Sequence, residues 1–358
     1  MSRIRIKDIA RMAEVSPGTV DRVIHKRNGV SLDTRERIEK IIEDFDYRPD
    51  ILAGRLAARK PTRFLICMPG SVHDHKFWDM PVEGVQKALF ELEHFSVDVK
   101  YIRFDQHSQD DFARKMNAVD PAEYDGIMFV PVFPEPSEEF LNRCGQAGVP
   151  VVQFNTRISR AEPDYFVGQD AFQSGLLGGK LMSYGLPLQR DILVINLSLR
   201  NDHYPHIVAR EKGFRSYFEA HMDRARNLIS VNIQGAGYDK VSDVLGGMTE
   251  KYDVAGIFVT NSRVHMVARY LAEQGMMSMR LIGYDLLDAS VEYLKREYID
   301  FLISQSPEEQ TYLAMRNLFD HVVLKRDIPP QVLLPIDILT KENVDDYLGF
   351  QRREDPDV

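Results

Sequence analysis

Residues 16–27 place polar and charged positions at helical spacing around an apolar face. Val20, Val23 and Ile24 form that face, so the positions between them point outward. Arg22 could bind a guanine edge through two hydrogen bonds, worth about 1 to 3 kcal/mol, or bind a phosphate instead. The positions that such a helix would present to DNA are Ser16, Pro17, Gly18, Thr19, Asp21, Arg22, His25 and Arg27.

Three short helices are predicted to hold this surface. Ser16 can cap the second helix because its hydroxyl oxygen can accept a hydrogen bond from a free backbone amide, and Pro17 suits the first helical position. Asn28-Gly29 predicts a turn, and Ser31 can cap the third helix. The apolar spacing that predicts the first and third helices is carried by Ile6, Ile9, Ala10 and Ala13, and by Ile38, Ile41, Ile42 and Phe45.

Several short motifs in residues 4–60 fall at a characteristic spacing. They are Asp8-Ile9-Ala10, Val15-Ser16, Thr19-Val20, Arg22-Val23, Val30-Ser31 with Thr34-Arg35, and Tyr47-Arg48-Pro49. With these motifs the segment resembles the DNA-binding head of the lactose-repressor (LacI/GalR) family of transcriptional regulators. The resemblance implies that the second helix lies in the major groove and that a hinge, residues 50–58, reaches the minor groove. In that hinge Leu56 would be a wedge that bends DNA, and Arg55 would lie near phosphates.

Two positions depart from the pattern of that family. Pro17-Gly18 stands where side chains that read bases are frequent, and Asp21 stands where a small neutral residue is common. Asp21 could pair with Arg22 or accept from a cytosine amino group. We therefore expect Arg22 to carry most base reading, and Thr19, His25 and Arg27 to lie near phosphates.

Composition and charge favour a globular protein that contacts DNA through its amino-terminal part. The chain has 358 residues, 44% of them hydrophobic, and a formal net charge of -9. Residues 1–60 hold 14 Lys or Arg against 10 Asp or Glu, which gives +4 there and -13 in the remainder. The start lacks the apolar run of a signal peptide, and no apolar run could span a bilayer. Two isolated cysteines predict no disulfide framework, so we expect a cytoplasmic protein.

From residue 63 onward, short apolar runs alternate with amphipathic segments, which predicts parallel sheets covered by helices. The predicted strands are 64–68, 97–102, 126–132, 149–154, 192–197, 255–260 and 281–284, and the predicted helices are 82–92, 110–118, 137–147, 171–184, 208–221, 240–249 and 264–274.

The sequence thus predicts a small all-α helix-turn-helix head followed by an α/β domain. The predicted boundaries are 1–48 for the head, 49–61 for the hinge and linker, 62–348 for the α/β domain and 349–358 for a disordered tail.

Polar motifs follow several of these strands, where ligands of parallel sheets bind. The motif residues are Phe77-Trp78, Asn155, Gly168-Gln169-Asp170, Arg210, Asn261, Ile282-Gly283-Tyr284-Asp285 and Gln305-Ser306-Pro307. With them the domain resembles two-lobed sugar-binding proteins of the periplasmic-binding-protein type. The resemblance implies an effector between the lobes, with chain crossovers near residues 157–164, Asp285 and Leu324. The implied effector-binding residues are Phe77, Trp78, Asn155, Arg157, Asp170, Arg210, Asn261, Asp285 and Gln305.

The chemistry of this set suits a carbohydrate. Arg210 and Asp285 can each engage two neighbouring hydroxyls, and Phe77 or Trp78 offers a flat apolar face to a sugar ring. Each residue also has a purely structural interpretation. Phe77 and Trp78 could belong to the core, Asp285 could cap the following helix, and Arg210 could pair with Glu211 or cover a sheet edge.

Two further departures leave the effector class open. Asn155 and Ser262 stand where sugar binders of this fold often carry aspartate. A pentose or hexose is therefore one alternative, and a sugar acid, a sugar phosphate or a modified sugar is another. Arg157, Arg200 and Arg263 are candidate partners for an anion.

Other motifs do not predict an enzyme, a cofactor or a metal. Residues 175–180, Gly-Leu-Leu-Gly-Gly-Lys, lack the context of a phosphate loop and are interpreted as helix packing. The pairs His73-His75 and His203-His206 lack organised further ligands.

The favoured hypothesis is a dimeric repressor of carbohydrate-related genes that binds a near-palindromic operator and a small sugar-like effector. The alternative is an α/β carbohydrate-binding protein or enzyme with an incidental helical domain at its amino terminus. Whether the effector releases the protein from DNA or recruits it stays open. The end of the chain lacks leucine heptads, so no terminal coiled coil is expected.

Overall fold

The computed structural model divides the chain into two compact units, Met1–Arg59 and Lys60–Val358. It describes residues 4, 6–24, 28–45, 61–71, 76–158, 165–186, 190–198, 204–221, 227–235 and 237–353. The predictions on His25, Arg27, Arg55, Leu56 and Arg200, and on hinge residues 49–60, lie outside the described residues.

The first unit contains three helices, α1 Ile6–Met12, α2 Pro17–Ile24 and α3 Leu32–Asp44. Ser16 Oγ accepts from the Thr19 amide at 3.2 Å, and Ser31 caps α3 by accepting from the Thr34 amide at 3.4 Å. Both predicted caps are therefore confirmed. The buried side chains of the three helices form one apolar core of Ile9, Ala10, Ala13, Val20, Val23 and Ile38.

The second unit contains two six-stranded sheets with helices between their strands. The strands are β1 Thr62–Pro69, β2 Val97–Phe104, β3 Gly126–Phe129, β4 Val151–Phe154, β5 Tyr165–Gly168, β6 Asp191–Ser198, β7 Leu228–Gln234, β8 Val254–Val259, β9 Arg280–Tyr284, β10 Phe301–Ser304, β11 Gln331–Leu333 and β12 Asp337–Leu339. The α-helices are α4 Met80–Glu91, α5 Gln109–Asn117, α6 Pro134–Gln146, α7 Ala171–Ser183, α8 Pro205–Ala220, α9 Tyr238–Lys251, α10 Val264–Glu273, α11 Asp288–Lys295, α12 Pro307–Val322 and α13 Val344–Arg353. Two short 3-10 turns, Lys76–Asp79 and Pro121–Glu123, complete the described elements.

Each sheet forms the centre of one lobe. The first has the strand order β11-β5-β4-β3-β1-β2, and the second has the order β12-β10-β9-β8-β6-β7. Neighbouring strands are parallel except β10 and β12, which are antiparallel. Leu193 and Ile195 of β6 belong to one apolar core, and Ile192 and Val194 belong to another. Both faces of the second sheet are thus buried, which is why its central strands are continuously apolar. The predicted fold class is confirmed.

The chain crosses between the lobes at three places that differ from those predicted. The first crossing was predicted at residues 157–164 but follows β5 at Gln169, because β5 still pairs with β4 in the first sheet. The second follows β10 near Gln305, since residues after Asp285 still build the second sheet. The third lies at residues 334–336, between β11 and β12, because Leu324 packs within the first lobe.

Gln169 joins all three crossings. Its Nε2 donates to the carbonyl of Ser304 at 2.9 Å and to the carbonyl of Pro335 at 3.0 Å. One side chain in the first crossing therefore ties the second and third crossings together at the base of the cleft.

The last helix corrects the predicted tail. Residues 349–353 are part of α13, which begins at Val344 and packs Val344 into the second lobe. Half of the segment predicted to be disordered is therefore helical. Within the described part of the chain, no helix is long and apolar enough to cross a membrane.

The interpretation of residues 175–180 as helix packing is confirmed. A Cβ atom added to Gly175 of α7 would lie 2.0 Å from the carbonyl oxygen of Arg210 in α8. A Cβ added to Gly213 of α8 would lie 2.0 Å from the carbonyl oxygen of Phe172 in α7. The missing side chains let the two helices touch through their backbones, and this contact fixes the position of Arg210.

Candidate functional site

The outer surface of α2 presents a single strong cation among the described residues of that helix. Arg22 is exposed, whereas Asp21 beside it is half-buried. Ser16 and Thr19 lie together at the start of the helix, with their hydroxyl oxygens 3.0 Å apart. Gly18 is exposed, and a Cβ there would meet only Ser16 Oγ at 3.8 Å. Nothing in the packing of the head therefore requires glycine at position 18.

A cavity of about 640 Å³, counted with its open mouth, lies between the two lobes. Residues from the carboxyl ends of strands of both sheets and from the following loops form its wall, which is where parallel sheets bind ligands. The wall residues are Phe77, Trp78, Gln106, His107, Val130, Val132, Asn155, Thr156, Leu197, Tyr204, His206, Ile207, Arg210, Asn261, Ser262, Arg263 and Gln305.

Six of the nine predicted effector residues line this cavity: Phe77, Trp78, Asn155, Arg210, Asn261 and Gln305. The structure does not bring the other three to the wall. Arg157 is exposed, with its guanidinium 5.3 Å from the ring centre of Phe166. Asp170 caps α7 by accepting from the Gln173 amide at 2.9 Å. Asp285 is 1% exposed and lies behind the wall.

Arg210, Gln305 and Asp285 form one buried polar chain. Arg210 donates to the carbonyl of Thr260 at 2.8 Å and to Oε1 of Gln305, and its guanidinium lies 3.8 Å from the ring centre of Tyr284. Gln305 then donates from Nε2 to Asp285 at 2.7 Å. Burial raises the pKa of Asp285 to about 6, although the charge of Arg210 and the bonds from Gln305 act to lower it. Gln305 is thus held between the cation and the carboxylate.

Backbone geometry places two of these side chains. Asn155 follows β4 with φ 65°, and Asp285 follows β9 with φ 69°. Asparagine and aspartate tolerate this left-handed region better than most residues. The turn after each strand therefore depends on the residue type that the motif supplies.

Two structural alternatives, a helix cap by Asp285 and an ion pair of Arg210 with Glu211, are not what the structure shows. Asp285 accepts from Gln305, and the helix after it has no side-chain cap. Glu211 pairs with Arg215, at 3.0 Å, and not with Arg210.

Phe77 and Trp78 are core residues, as the structural interpretation predicted, and they also lie on the cavity wall. They are 4% and 5% exposed, pack within the core of the first lobe, and also line the cavity. The indole nitrogen of Trp78 donates to Gln106 at 2.9 Å, which fixes the ring at the wall.

Tyr204 connects the two lobes across the cavity. It lies just before α8 of the second lobe, and its hydroxyl donates to the carbonyl of Gln106 in the first lobe at 2.7 Å. The same oxygen lies 3.3 Å from Nδ1 of His107. These contacts hold the lobes together on one side of the cleft.

His206 stands beside this connection as an uncharged imidazole. Burial, and to a smaller extent the charge of Arg210, lowers the pKa of His206 to about 3. Its buried Nδ1 has no hydrogen-bond partner among the described residues. The ring can therefore donate to or accept from a bound hydroxyl without first becoming a cation.

The sequence interpretation missed several wall residues, chiefly Gln106, His107, Thr156, Tyr204 and His206. Gln106 and His107 lie in the loop just after β2, which ends at Phe104, so the rule that ligands bind beyond strand ends would have identified them. Tyr204 and His206 open a helix and have no such signal in the sequence.

No metal centre was predicted, and the described residues contain no group of three or more His, Cys, Asp or Glu side chains that could hold a metal ion.

Two protein-family models match the chain. The model described as "Periplasmic binding protein domain" matches residues 66–326, and the model described as "Bacterial regulatory proteins, lacI family" matches residues 5–50. The second match covers the three helices of the head and the first covers most of both lobes.

Individual relatives agree with both matches. The sucrose operon repressor of Streptococcus mutans is 22% identical over 95% of this chain and 99% of its own length. Catabolite control protein A of Staphylococcus epidermidis is 26% identical over 53% of this chain and 59% of its own length. These relatives are named as regulators, in agreement with the expectation that the chain is not an enzyme.

Solved structures show the same fold. A LacI transcriptional regulator from Bacteroides fragilis has a TM-score of 0.73 and 27% identity over 80% of this chain and all of that chain. A solute-binding protein of an ABC transporter from Burkholderia graminis, in complex with D-arabinose, has a TM-score of 0.71 and 17% identity over 81% of this chain and 99% of that chain.

Proposed function

The chain belongs to the lacI family of bacterial regulatory proteins, with a periplasmic binding protein domain, and from this premise we propose that it is a sequence-specific repressor of carbohydrate-related genes. The observation that carries the proposal is the presence, in one chain, of an exposed Arg22 on a capped second helix and of a cavity between two lobes whose largely apolar wall also carries amide, hydroxyl and guanidinium groups. The named regulators among its relatives support the same role.

On DNA the protein would act as a homodimer. One small head makes few base contacts, whereas two heads on a two-fold axis match a near-palindromic operator. The reading surface would comprise Ser16 to Arg22 with His25 and Arg27, and the hinge, with Arg55 and Leu56, would complete it. A protein that acts on bacterial operators in this way would work in the cytoplasm.

The effector would be a small carbohydrate-like molecule in the cavity between the lobes. The amide group of Asn155 can donate and accept at once, and Trp78 offers a flat apolar surface. The structural neighbour from Burkholderia graminis, which was solved in complex with D-arabinose, supports this class of ligand. No cofactor is part of the proposal.

Effector binding would change the arrangement of the lobes and thereby the operator affinity of the dimer. Such coupling is typically about 1 to 3 kcal/mol, which corresponds to roughly 5- to 150-fold in affinity.

Two experiments test this function. Selection from random DNA duplexes with the full chain should yield a near-palindromic sequence. A chain that lacks residues 1–60 should no longer bind that sequence. A thermal-shift screen with sugars, sugar acids and sugar phosphates should find a ligand for the truncated chain that also changes operator affinity of the full chain. Sequence-specific binding that survives the deletion would refute the assignment of the head.

A further inference from the structure

The residue before α12 departs from the usual geometry of a helix start. Ser306 stands at the cap position, where a serine usually has extended backbone and accepts from an amide of the first turn. Its φ is instead 49°, and its side chain caps no amide of the helix. Its own amide donates to Ser304 Oγ at 3.1 Å, and its hydroxyl oxygen lies 3.3 Å from that of Tyr347. The side chain of Ser306 thus contacts α13 and not the helix that it precedes.

The hydroxyl of Tyr347 is held in the second lobe. Val344 of the same helix is buried in the core of that lobe, and the ring of Tyr347 packs against this core. The hydroxyl donates to Asp337 Oδ2 at 2.9 Å and lies 3.5 Å from Ser304 Oγ. Ser304 and Asp337 face each other where β10 pairs with β12. Because the hydroxyl has one proton, which the nearest carboxylate takes, its oxygen accepts from Ser306.

The bond between Ser306 and Tyr347 spans the second crossing. α12 packs in the first lobe, where the Thr311 hydroxyl donates to the carbonyl of Pro81 at 2.7 Å and Leu318 is buried. Ser306 is the last residue before this helix, whereas Tyr347 is fixed in the second lobe. A change in the angle between lobes turns the chain at the crossings, so this bond opposes it.

The same crossing carries a residue of the cavity wall. Gln305 lies between Ser304 and Ser306, and its side chain joins Arg210 to Asp285. Any turn of the chain at Ser306 therefore displaces the amide that holds Arg210 at the wall.

We propose that Tyr347 is a positioning residue for effector binding. Through Ser306 it holds the second crossing, and it thereby favours both the observed arrangement of the lobes and the position of Gln305. The last helix of the chain, outside the cavity, is in this way part of the machinery that sets ligand affinity. This inference rests on the proposed function, because it concerns the regulation of the same cavity, but the arrangement of the lobes can be measured without a ligand.

Trp78 makes that arrangement measurable. It is the single tryptophan of the chain, is 5% exposed and lies on the cavity wall in the first lobe. Its indole nitrogen donates to Gln106, whose carbonyl accepts from Tyr204 of the second lobe. Quenching of tryptophan fluorescence by acrylamide, on the full-length protein without ligand, should therefore increase when the lobes separate.

Tyr347→Phe keeps the ring and removes the hydroxyl. Loss of one hydrogen bond shifts the ratio of lobe arrangements by about two- to twelvefold, so we expect the quenching constant of Trp78 to rise at least about twofold. Ser306→Ala removes the same bond from the other side and should raise the constant by a similar factor. Since both act through one bond, the double variant should not exceed the larger single effect.

Tyr270→Phe is the matched control. The Tyr270 hydroxyl lies 3.1 Å from that of Thr249 within the second lobe, so its loss should leave the quenching constant unchanged. Tyr204→Phe removes a direct bond between the lobes and gives the size of the signal. Urea unfolding establishes that each variant is folded under the conditions of the measurement.

The outcomes separate this inference from the proposed function. A quenching constant of Tyr347→Phe equal to that of wild type would overturn the inference. An equal rise in Tyr270→Phe would also overturn it, because Tyr347 would then act through general stability. Failure of every sugar in the ligand screen would contradict the carbohydrate effector and leave the quenching result as it stands.

Discussion

Arg22 is the exposed cation of α2, and we expect its neighbours Gly18 and Asp21 to make few contacts with base edges. Gly18 has no side chain, and Asp21 is half-buried. Arg22→Ala should therefore lower affinity for the selected operator by about 1 to 3 kcal/mol, or roughly 5- to 150-fold, while binding to unrelated duplexes changes much less. Competition titrations with both duplexes at fixed salt measure this.

Arg37 provides the matched control because it is an exposed arginine of α3, away from the reading helix. Arg37→Ala should leave the ratio of the two affinities unchanged. If Arg22→Ala weakens both duplexes equally, Arg22 binds a phosphate and the base-reading role is wrong.

Asp285 should make the free energy of unfolding depend on pH. Its pKa is about 6 in the folded protein against 3.8 for the free group, so the folded state holds a proton that the unfolded state releases between pH 4 and 6. The stabilisation is present below pH 4 and is lost as pH rises through 6, by up to about 3 kcal/mol. As pH rises from 4 to 6, the wild type should lose free energy of unfolding relative to Asp285→Asn, because asparagine does not titrate.

Urea unfolding at pH 4, 5, 6 and 7 measures that difference. His206 acts in the opposite direction, because its lowered pKa costs stability as pH falls below 6.5. Both proteins retain His206, so its contribution cancels in the comparison. A difference that stays constant from pH 4 to 7 would contradict the assignment to Asp285.

At single positions, the sequence predicted contacts between neighbouring residues of the chain, such as helix caps, but it did not predict which polar side chains are buried. The caps of Ser16 and Ser31 follow from rules that involve three or four consecutive residues. The position of Asp285 behind Gln305 depends on the pairing of β9 with β10, and these two strands are separated by a helix in the chain. Residues distant in the chain decide which polar group reaches the wall.

The contact between α7 and α8 depends on glycine, and it leads to a prediction at the scale of elements. Gly175→Ala would place a Cβ against the carbonyl of Arg210, so the helices must separate. We expect a loss of about 1 to 3 kcal/mol in the free energy of unfolding and weaker ligand binding, because Arg210 moves with α8. Chemical denaturation and ligand titration measure both effects.

Gly247→Ala is the control in the same lobe. A Cβ at Gly247 of α9 meets nothing within 4 Å, so alanine should stabilise the helix by about 0.5 to 1 kcal/mol. Equal stability of Gly175→Ala and wild type would show that the helices can adjust without cost.

Most elements could be predicted because their apolar patterns are long. The seven predicted strands and seven predicted helices of the second unit each correspond to an observed element. Five strands, β5, β7, β10, β11 and β12, and three helices, α11, α12 and α13, were not predicted. Four of these strands, β5, β10, β11 and β12, have only three or four residues each, which is too few for a period to be visible. The crossings were misplaced for another reason, because the sheet to which a strand belongs is set by its pairing and not by its own sequence.

At the scale of the whole molecule, the Tyr204 hydroxyl links the two lobes, and we expect this bond to favour their observed arrangement. Tyr204→Phe removes its bond to the carbonyl of Gln106. Loss of one such bond is worth about 0.5 to 1.5 kcal/mol, so ligand affinity should fall about two- to twelvefold. The arrangement of the lobes that this bond stabilises becomes less populated, so the ligand must supply the lost free energy. Isothermal titration with the best ligand of the screen measures the change.

Tyr217→Phe is the corresponding change within one lobe, where the Tyr217 hydroxyl lies 3.1 Å from that of Ser183. This variant should bind the ligand like wild type. Equal losses in both variants would mean that Tyr204 acts through general stability and not through the lobes.

The last two strands also determine when the protein can complete its folding during synthesis. β11 pairs with β5 of one sheet and β12 pairs with β10 of the other, with three residues between them. Until residues 331–339 have left the ribosome, β5 and β10 both expose open strand edges, which are sites of aggregation. A nascent chain stalled before Gln331 should therefore depend on chaperones in both lobes at once, and light scattering of such a truncated chain should rise where that of the full chain does not.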